Sequence, residues 1–362
     1  PLISLESSLL SIEIQGTPES DNLTGGFGDD TIYGNGGNDE IDGQAGSDVI
    51  YGGFGDDVII GNFGDDTLYG ESGNDRITDD QGANYIDGGE GDDTLSSRSL
   101  TGNHTLIGGS GRDNISGTGE TLYIDGGEGQ DSINIYGYVQ NEGVNNYLSS
   151  GEATVLAGGG DDYINADNFI NVNVRGGEGQ DNFNSYNYTQ WASTSVFYGD
   201  EGNDYGYLSR SYSAEFSGGL GEDNFNWDGV GSGILSGGEG DDSLSSNYGG
   251  HISVSGGEGN DFISSYRDLS ASLEGGGGDD DLSLRFSDYV NYTEIRDDNN
   301  NLKQQISLLD GGEGDDILNI IGEGTSVWGS YEANFEVVGG EGDDTIKITD
   351  NSAGVIGSNG QD

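Results

Sequence analysis

The strongest constraint on what this chain can fold into is a nine-residue period, Gly-Gly-x-Gly-x-Asp-x-apolar-x, which starts near residue 16 and recurs to the last residues. GGFGDDTIY at 25–33, GGFGDDVII at 52–60 and GGEGDDTLS at 88–96 carry it in full. Each unit divides into a six-residue glycine loop bearing one carboxylate and a three-residue strand with one inward apolar side chain. Between residues 16 and 96 the units follow without a gap, starting at 16, 25, 34, 43, 52, 61, 70, 79 and 88. The apolar position reads Leu23, Ile32, Ile41, Ile50, Ile59, Leu68, Ile77, Ile86 and Leu95, which predicts a thin core of short strands. Glycine loops that expose backbone carbonyls beside an aspartate suit a hard cation with oxygen ligands and irregular geometry, and this points to Ca2+.

After Ser96 the pattern changes. Glycine loops begin at 108, 126, 157, 176, 199, 218, 237, 256, 275, 311, 339 and 357, with 19 the commonest spacing. The residue two before each loop is Leu106, Ile124, Val155, Val174, Phe197, Phe216, Leu235, Val254, Leu273, Leu309, Val337 and Val355, so a return strand persists. The longer spacings, 126 to 157, 275 to 311 and 311 to 339, read as insertions or as coils that lost their loop, and 296–303 as a protruding Asp/Asn-rich loop. The sixth loop position carries Asp21, Asp30, Asp39, Asp48, Asp57, Asp66, Asp75, Asp93, Asp113, Asp131, Asp162, Asp181, Asp204, Asp223, Asp242, Asp261, Asp280, Asp316, Asp344 and Asp362; only Asn84 breaks the series.

Charge leads to the same cation independently. The 67 Asp+Glu face 10 Lys+Arg, a net charge of −57, and 71 glycines accompany only 31 % hydrophobic residues. Without counterions such a chain has too little apolar surface to offset backbone entropy and repels itself, so bound cations must contribute folding energy. The sign of the charge excludes nucleic acid as a partner. No apolar run approaches the roughly 20 residues of a membrane span. With no cysteine there are no disulfides. Pro1 at the start, with no leader visible, reads as a processed or excised chain, or one exported by a signal beyond Asp362.

The nonapeptides resemble those of the RTX (repeats-in-toxin) family, secreted bacterial proteins with a calcium-filled parallel β-roll. The resemblance implies an all-β fold: a right-handed parallel β-roll or β-solenoid with stacked Ca2+-binding glycine loops. Two nonapeptides then make one coil of 18 residues, and alternate loops stack in two rows. The row at 25, 43 and 61 ends at 79, where DDQGAN carries Asn84, whereas the row at 16, 34, 52, 70 and 88 continues to 357. The expected organisation is an N-terminal strand segment and subunit junction at 1–15, a two-row roll at 16–96, and a continuous single-row solenoid at 97–362. One ion per gap between neighbouring loops gives up to 19 Ca2+, which would bring −57 to about −19.

The family's ligand pattern, carried onto this chain, places an ion among the carbonyls of Gly26, Gly28, Gly43 and Ala45 and the carboxylates of Asp30 and Asp48. In the single-row half the matching set is Gly238, Gly240, Asp242, Gly256, Glu258 and Asp261. Each sixth-position aspartate would then serve two neighbouring ions. The departures are Asn84, the first loop GTPESD, and Gly206 at an apolar position.

Other signals are weaker. His104 and His251 lie far apart with no cysteine nucleophile and read as surface strand residues. Nearly all carboxylates sit at loop positions, which leaves no pair for glycosidase chemistry, so no enzyme is expected. Tyr33, Tyr51 and Tyr69 recur every 18 residues and read as a stiffening aromatic ladder, with a contact stripe for a neighbour or surface polysaccharide as the functional alternative. Loops of this kind fill at extracellular Ca2+, roughly 10⁻⁴ to 10⁻³ M. The leading expectation is a secreted structural protein that assembles head to tail into a fibre, sheath or surface layer, with Ser358, Gly360 and Asp362 of one copy completing an ion site on Gly16, Pro18 and Asp21 of the next. The competing expectation is a folding module of a larger type I-secreted enzyme, toxin or adhesin.

Overall fold

A computed structural model describes residues 10–99, 102–137, 139–140, 147–148, 151–187, 193–287, 306–323 and 334–350. Val355, the loop at 357–362 with Asp362, and the segment 296–303 lie outside the described residues. All regular structure among the described residues is β-strand, and no helix is long and apolar enough to cross a membrane. The chain divides into two compact units, Pro1–Thr189 and Gln190–Asp362, and each is a parallel β-roll.

In the first unit, successive strands alternate between two sheets of nine strands each. One sheet runs from Glu13–Gln15 through Thr31–Gly36 and Val49–Phe54 to Asn171–Glu178; the other runs from Asn22–Gly26 through Glu40–Ala45 to Asn182–Tyr186. Neighbours within a sheet are one coil apart and parallel, as in Thr31↔Val49, Ile32↔Ile50 and Tyr33↔Tyr51. That register stacks like residues, because the inward side of a strand alternates with period 2. Ile32, Ile41, Ile50, Ile59, Leu68, Ile77, Ile86 and Leu95 are all fully buried, while Leu23 in the first coil is half-buried.

Where the second row of loops stops, the strands lengthen. Six-residue strands such as Thr67–Ser72 give way to eight-residue ones such as Thr121–Glu128, since residues no longer spent on a glycine loop extend the strand. The wider coil acquires a second inward column, Leu122, Ala153 and Val172 on one sheet and Ile135 and Ala166 on the other. This corrects the expectation for the histidines. His251 is exposed and meets Ser270 Oγ at 2.7 Å, but His104 pairs in register with Leu122 and is 2 % exposed, the first member of the new column.

The long spacings are insertions within coils. Thr121–Glu128 pairs directly with Glu152–Gly159, and the residues between include a small antiparallel pair, Val139–Gln140 with Tyr147–Leu148. In the second unit Ser270–Gly277 pairs with Ile306–Glu313, which pairs with Asn334–Glu341, so no coil is missing there.

The second unit has two sheets of seven strands, one from Thr194–Glu201 to Asn334–Glu341 and one from Tyr205–Ser209 to Thr345–Asp350. Its core is more aromatic. Phe197, Phe216 and Phe225 meet edge to face at 5.6 and 5.7 Å, and Trp227 packs on Phe216 at 5.4 Å. Gly206 is explained by this cluster: a methyl on it would lie 2.7 Å from Phe225 and 3.0 Å from Phe216, so the missing side chain is the space the rings fill. Tyr33, Tyr51 and Tyr69 stack at 5.1 and 5.0 Å with planes within 5° and 7° of parallel, the expected aromatic ladder.

Candidate metal centre

Each loop turns tightly between the sheets, and its glycines are required by backbone geometry at two kinds of position. The second loop residue takes a left-handed backbone: Gly53 has φ of +114° and Gly89 of +107°, and the non-glycine residues there, Asn35, Gln44, Asn62, Glu71 and Asp200, are held at +73° to +78°. The first loop residue is glycine for lack of room. A methyl on Gly25 would lie 2.5 Å from the Gly43 carbonyl oxygen and 2.7 Å from Asp30 Oδ2, inside any permitted contact. The loop at 25 is an exception in one respect, since neither Gly26 nor Gly28 adopts the left-handed backbone of its counterparts.

The sixth-position aspartates form hydrogen-bonded ladders. Oδ1 of each accepts the backbone N–H of the aspartate one coil earlier. In the long row of the first unit the steps run Asp21→Asp39→Asp57→Asp75→Asp93→Asp113→Asp131→Asp162→Asp181, all 2.7 to 2.9 Å. In the second unit they run Asp204→Asp223→Asp242→Asp261→Asp280→Asp316→Asp344, at 2.7 to 3.1 Å. The short row runs Asp30→Asp48→Asp66 at 2.7 Å, then Asn84 Oδ1 takes the Asp66 N–H at 3.1 Å and His104 Nδ1 takes the Asn84 N–H at 3.3 Å. Neutral acceptors thus replace carboxylates where the row of glycine loops ends. An Nδ1 that accepts requires the proton on Nε2, and burial lowers the His104 pKa, which favours that neutral form.

The other oxygen of most of these aspartates has no such bond. Oδ2 is buried without a hydrogen-bond partner in Asp30, Asp48 and Asp66, in Asp39, Asp57, Asp75, Asp93, Asp113, Asp131 and Asp162, and in Asp223, Asp242, Asp261, Asp280, Asp316 and Asp344. In each regular loop it stands by the first residue, beside that residue's counterpart carbonyl from the next coil. Asp30 Oδ2 meets the Gly43 carbonyl around Gly25, Asp48 Oδ2 meets the Gly61 carbonyl around Gly43, and Asp242 Oδ2 meets the Gly256 carbonyl around Gly237.

The carbonyls of the second and fourth residues point along the row, Gly238 O onto Gly257, Gly240 O onto Gly259, and Gly28 O onto Gly46. The Glu258 carbonyl already accepts the Gly240 N–H at 2.7 Å, and its side chain is exposed. The expected pairings of Asp30 with Gly43 and of Asp242 with Gly256 are therefore brought together. What the repeat pattern did not reveal is that one oxygen of each aspartate after the first in its row is committed to the ladder.

Burial is the main cause of a raised pKa along the rows. It pushes Asp48, Asp57, Asp93, Asp162, Asp242 and Asp280 up to about 7, and Asp75, Asp113 and Asp223 up to about 6. The N–H bond to Oδ1 pulls the other way, and like charges add to the rise, as Asp66 and Asp30 do at Asp48. A buried carboxylate oxygen with no donor, beside an outward-aimed carbonyl, fits a hard oxygen-seeking cation. Among the described residues no three His, Cys, Asp or Glu side chains converge, so a cation here would be held by carboxylates and backbone together.

The first loop departs from this. The Asp21 Oδ2 accepts the Thr17 N–H at 2.6 Å and the Thr17 Oγ1 at 2.9 Å, so GTPESD satisfies internally the oxygen that other loops leave free.

Comparison with curated proteins finds no match. Comparison with protein families matches the RTX calcium-binding nonapeptide repeat (4 copies) at residues 15–50, 42–77, 69–99 and 253–267. Those segments contain the whole short row and the long row from Asp21 to Asp93, and in the second unit the loop that carries Asp261. Over these segments the chain carries the RTX calcium-binding nonapeptide repeat, and Ca2+ is the cation such repeats bind.

Proposed function

We propose that the chain is a secreted scaffold folded by calcium, a subunit of an extracellular fibre, sheath or surface layer stiffened by rows of Ca2+. The observation that carries this reading is the row of buried Oδ2 atoms without partners. One ion per gap would be held by Asp30 and the Gly43 carbonyl with Gly26, Gly28, Ala45 and Asp48, and correspondingly by Asp242 and the Gly256 carbonyl with Gly238, Gly240, Glu258 and Asp261. Ca2+ would supply the missing partner for each oxygen and lower the charge of −57. Loops of this kind fill at roughly 10⁻⁴ to 10⁻³ M Ca2+, the range of extracellular modules, which supports a protein that folds outside the cell. A scaffold is favoured over an enzyme because each ladder carboxylate is fixed by a backbone N–H, an arrangement for holding position and not for moving protons.

A single substitution separates metal-row positions from the row's end. Asp261→Ala removes the acceptor of the Asp242 N–H at 2.8 Å together with a cation-facing oxygen, and should cost on the order of 3–5 kcal/mol in calcium. Asn84→Ala removes the 3.1 Å bond from Asp66 and the 3.2 Å bond to the Gln81 carbonyl but no charge, and should cost about 1–3 kcal/mol. Thermal melting in millimolar Ca2+ measures both, and equal shifts would contradict the assignment of the row.

Head-to-tail assembly would add a second neighbour to Glu13–Gln15 and Asn22–Gly26, each of which pairs with one strand among the described residues. The residues proposed for the far side of a junction, Ser358, Gly360 and Asp362, lie outside the described residues. Light scattering with and without Ca2+ tests it: calcium-dependent growth is expected, and a monomer at high calcium and high concentration would favour a folding module of a larger exported protein.

A further inference from the structure

We propose that the last gap of the second row, between the loop at 61 and the turn at 79, is a separate Ca2+ site built on two buried carboxylates, Asp66 and Asp79, and binds tighter than the regular gaps. This rests on the calcium reading of the rows. In a regular gap one carboxylate oxygen faces a backbone carbonyl: a methyl on Gly43 would lie 2.5 Å from Asp48 Oδ2 and 3.0 Å from the Gly61 carbonyl oxygen. Around Gly61 the neighbours are different. Asp66 Oδ2 stands 2.5 Å from the same point, and the atom opposite is Asp79 Oδ2, nearer still. The turn DDQGAN begins with Asp79 where the other loops of this row begin with glycine, and its side chain puts an anionic oxygen where a carbonyl stands elsewhere.

Both oxygens are aimed into the gap from fixed carboxylates. Asp79 is 0 % and Asp66 1 % exposed, and the two Oδ2 atoms have no partner but each other, a contact that without a cation requires a proton shared between the carboxylates. The remaining oxygens are committed: Asp66 Oδ1 accepts the Asp48 N–H at 2.7 Å, and Asp79 Oδ1 accepts the Gln81 N–H at 3.1 Å. Beyond the gap the ladder continues through neutral Asn84 and His104, so no further carboxylate of the row competes for the same ion. Two like charges facing each other away from water repel strongly, and a divalent cation between them turns that repulsion into attraction. Calcium affinity rises with the number of charged ligands, so this gap fills first and empties last.

The test is calcium binding by the full chain in chelator-buffered Ca2+, by equilibrium dialysis, for the wild type, Asp79→Asn and Asp79→Gly, with circular dichroism at saturating calcium as a check on folding. In the wild type one equivalent should bind about tenfold or more tighter than the rest. Both variants should lose that tight equivalent and leave the remainder of the curve in place. Asp79→Gly restores the residue found first in the other loops of the row, so it reads the site even if Asp79→Asn folds poorly. A wild type without a tighter equivalent overturns the proposal. So do folded variants whose curves superimpose on the wild type, the result expected if Asp66 and Asp79 share only a proton. A wild type that binds no calcium at all would overturn the calcium reading of every row, a failure distinct from the other two.

Discussion

Excess EGTA should convert this chain from β structure to a disordered one, read as loss of the far-UV circular dichroism β signal after one cycle of heating and cooling. The expectation follows from what each coil buries. In the regular stretch a coil contributes two fully buried aliphatic side chains, such as Ile32 and Ile41, and at the same time two buried aspartates, such as Asp30 and Asp39, each with an oxygen that no protein group satisfies. An uncompensated buried carboxylate costs several kcal/mol, and native stabilities are only about 5–15 kcal/mol in all, so a handful of emptied gaps exceeds the whole margin. The effect should spread, because each ladder bond joins an aspartate to the next coil. Calcium added back in excess of the chelator should restore the signal, and a metal-stripped chain that keeps its β signal after heating would contradict this account.

Acid should partly replace calcium. The row aspartates, whose ordinary value is 3.8, are raised in the fold, Asp48, Asp57, Asp93, Asp162, Asp242 and Asp280 to about 7. A carboxyl with a higher pKa folded than unfolded favours the fold when protonated; its contribution is complete below pH 3.8 and is lost as pH rises through about 6–7. In EGTA, therefore, β signal absent at pH 7.5 should grow as pH falls toward about 5, a limit set by the pI of 4.1, near which the chain loses its net charge. With calcium present the sign for binding is opposite, since protons compete for the same oxygens, and the calcium midpoint should move to higher concentration as pH falls from 7 to 6. A metal-free chain equally unfolded at pH 7.5 and pH 5 would show that the row carboxylates are not what prevents folding.

The regular part of this fold was legible because period and chemistry coincide. A strand whose inward residue recurs every 18 positions stacks Ile32 on Ile50 without any further information, and a glycine at the second loop position reports a left-handed backbone at Gly53 and Gly89, though not at Gly26. The sites were legible only in part. The aspartate at position six marks the row, but nothing in the spacing shows that Oδ1 of Asp48 is taken by the Asp30 N–H and only Oδ2 is left. Asp79 was legible as a departure and not as a ligand, because its side chain substitutes for a backbone oxygen that a sequence pattern does not record. His104 and the second core column were missed because they follow from strand lengthening, which begins only once the opposite loop is gone. Gly206 was an anomaly in one dimension and is the space under Phe225 in three.

The most direct test of the central claim, that the aspartate rows are calcium rows on which the fold depends, is to measure bound Ca2+ and far-UV circular dichroism in one titration of the chelated chain. The described loops leave eight long-row and three short-row gaps in the first unit and six in the second. Signal and bound calcium should rise together and level off between about 17 ions per chain, one for each described gap, and the 19 that the loop count allows, fewer by those gaps, such as the first, whose oxygens the protein already satisfies. Full β signal with only one or two ions bound would contradict it.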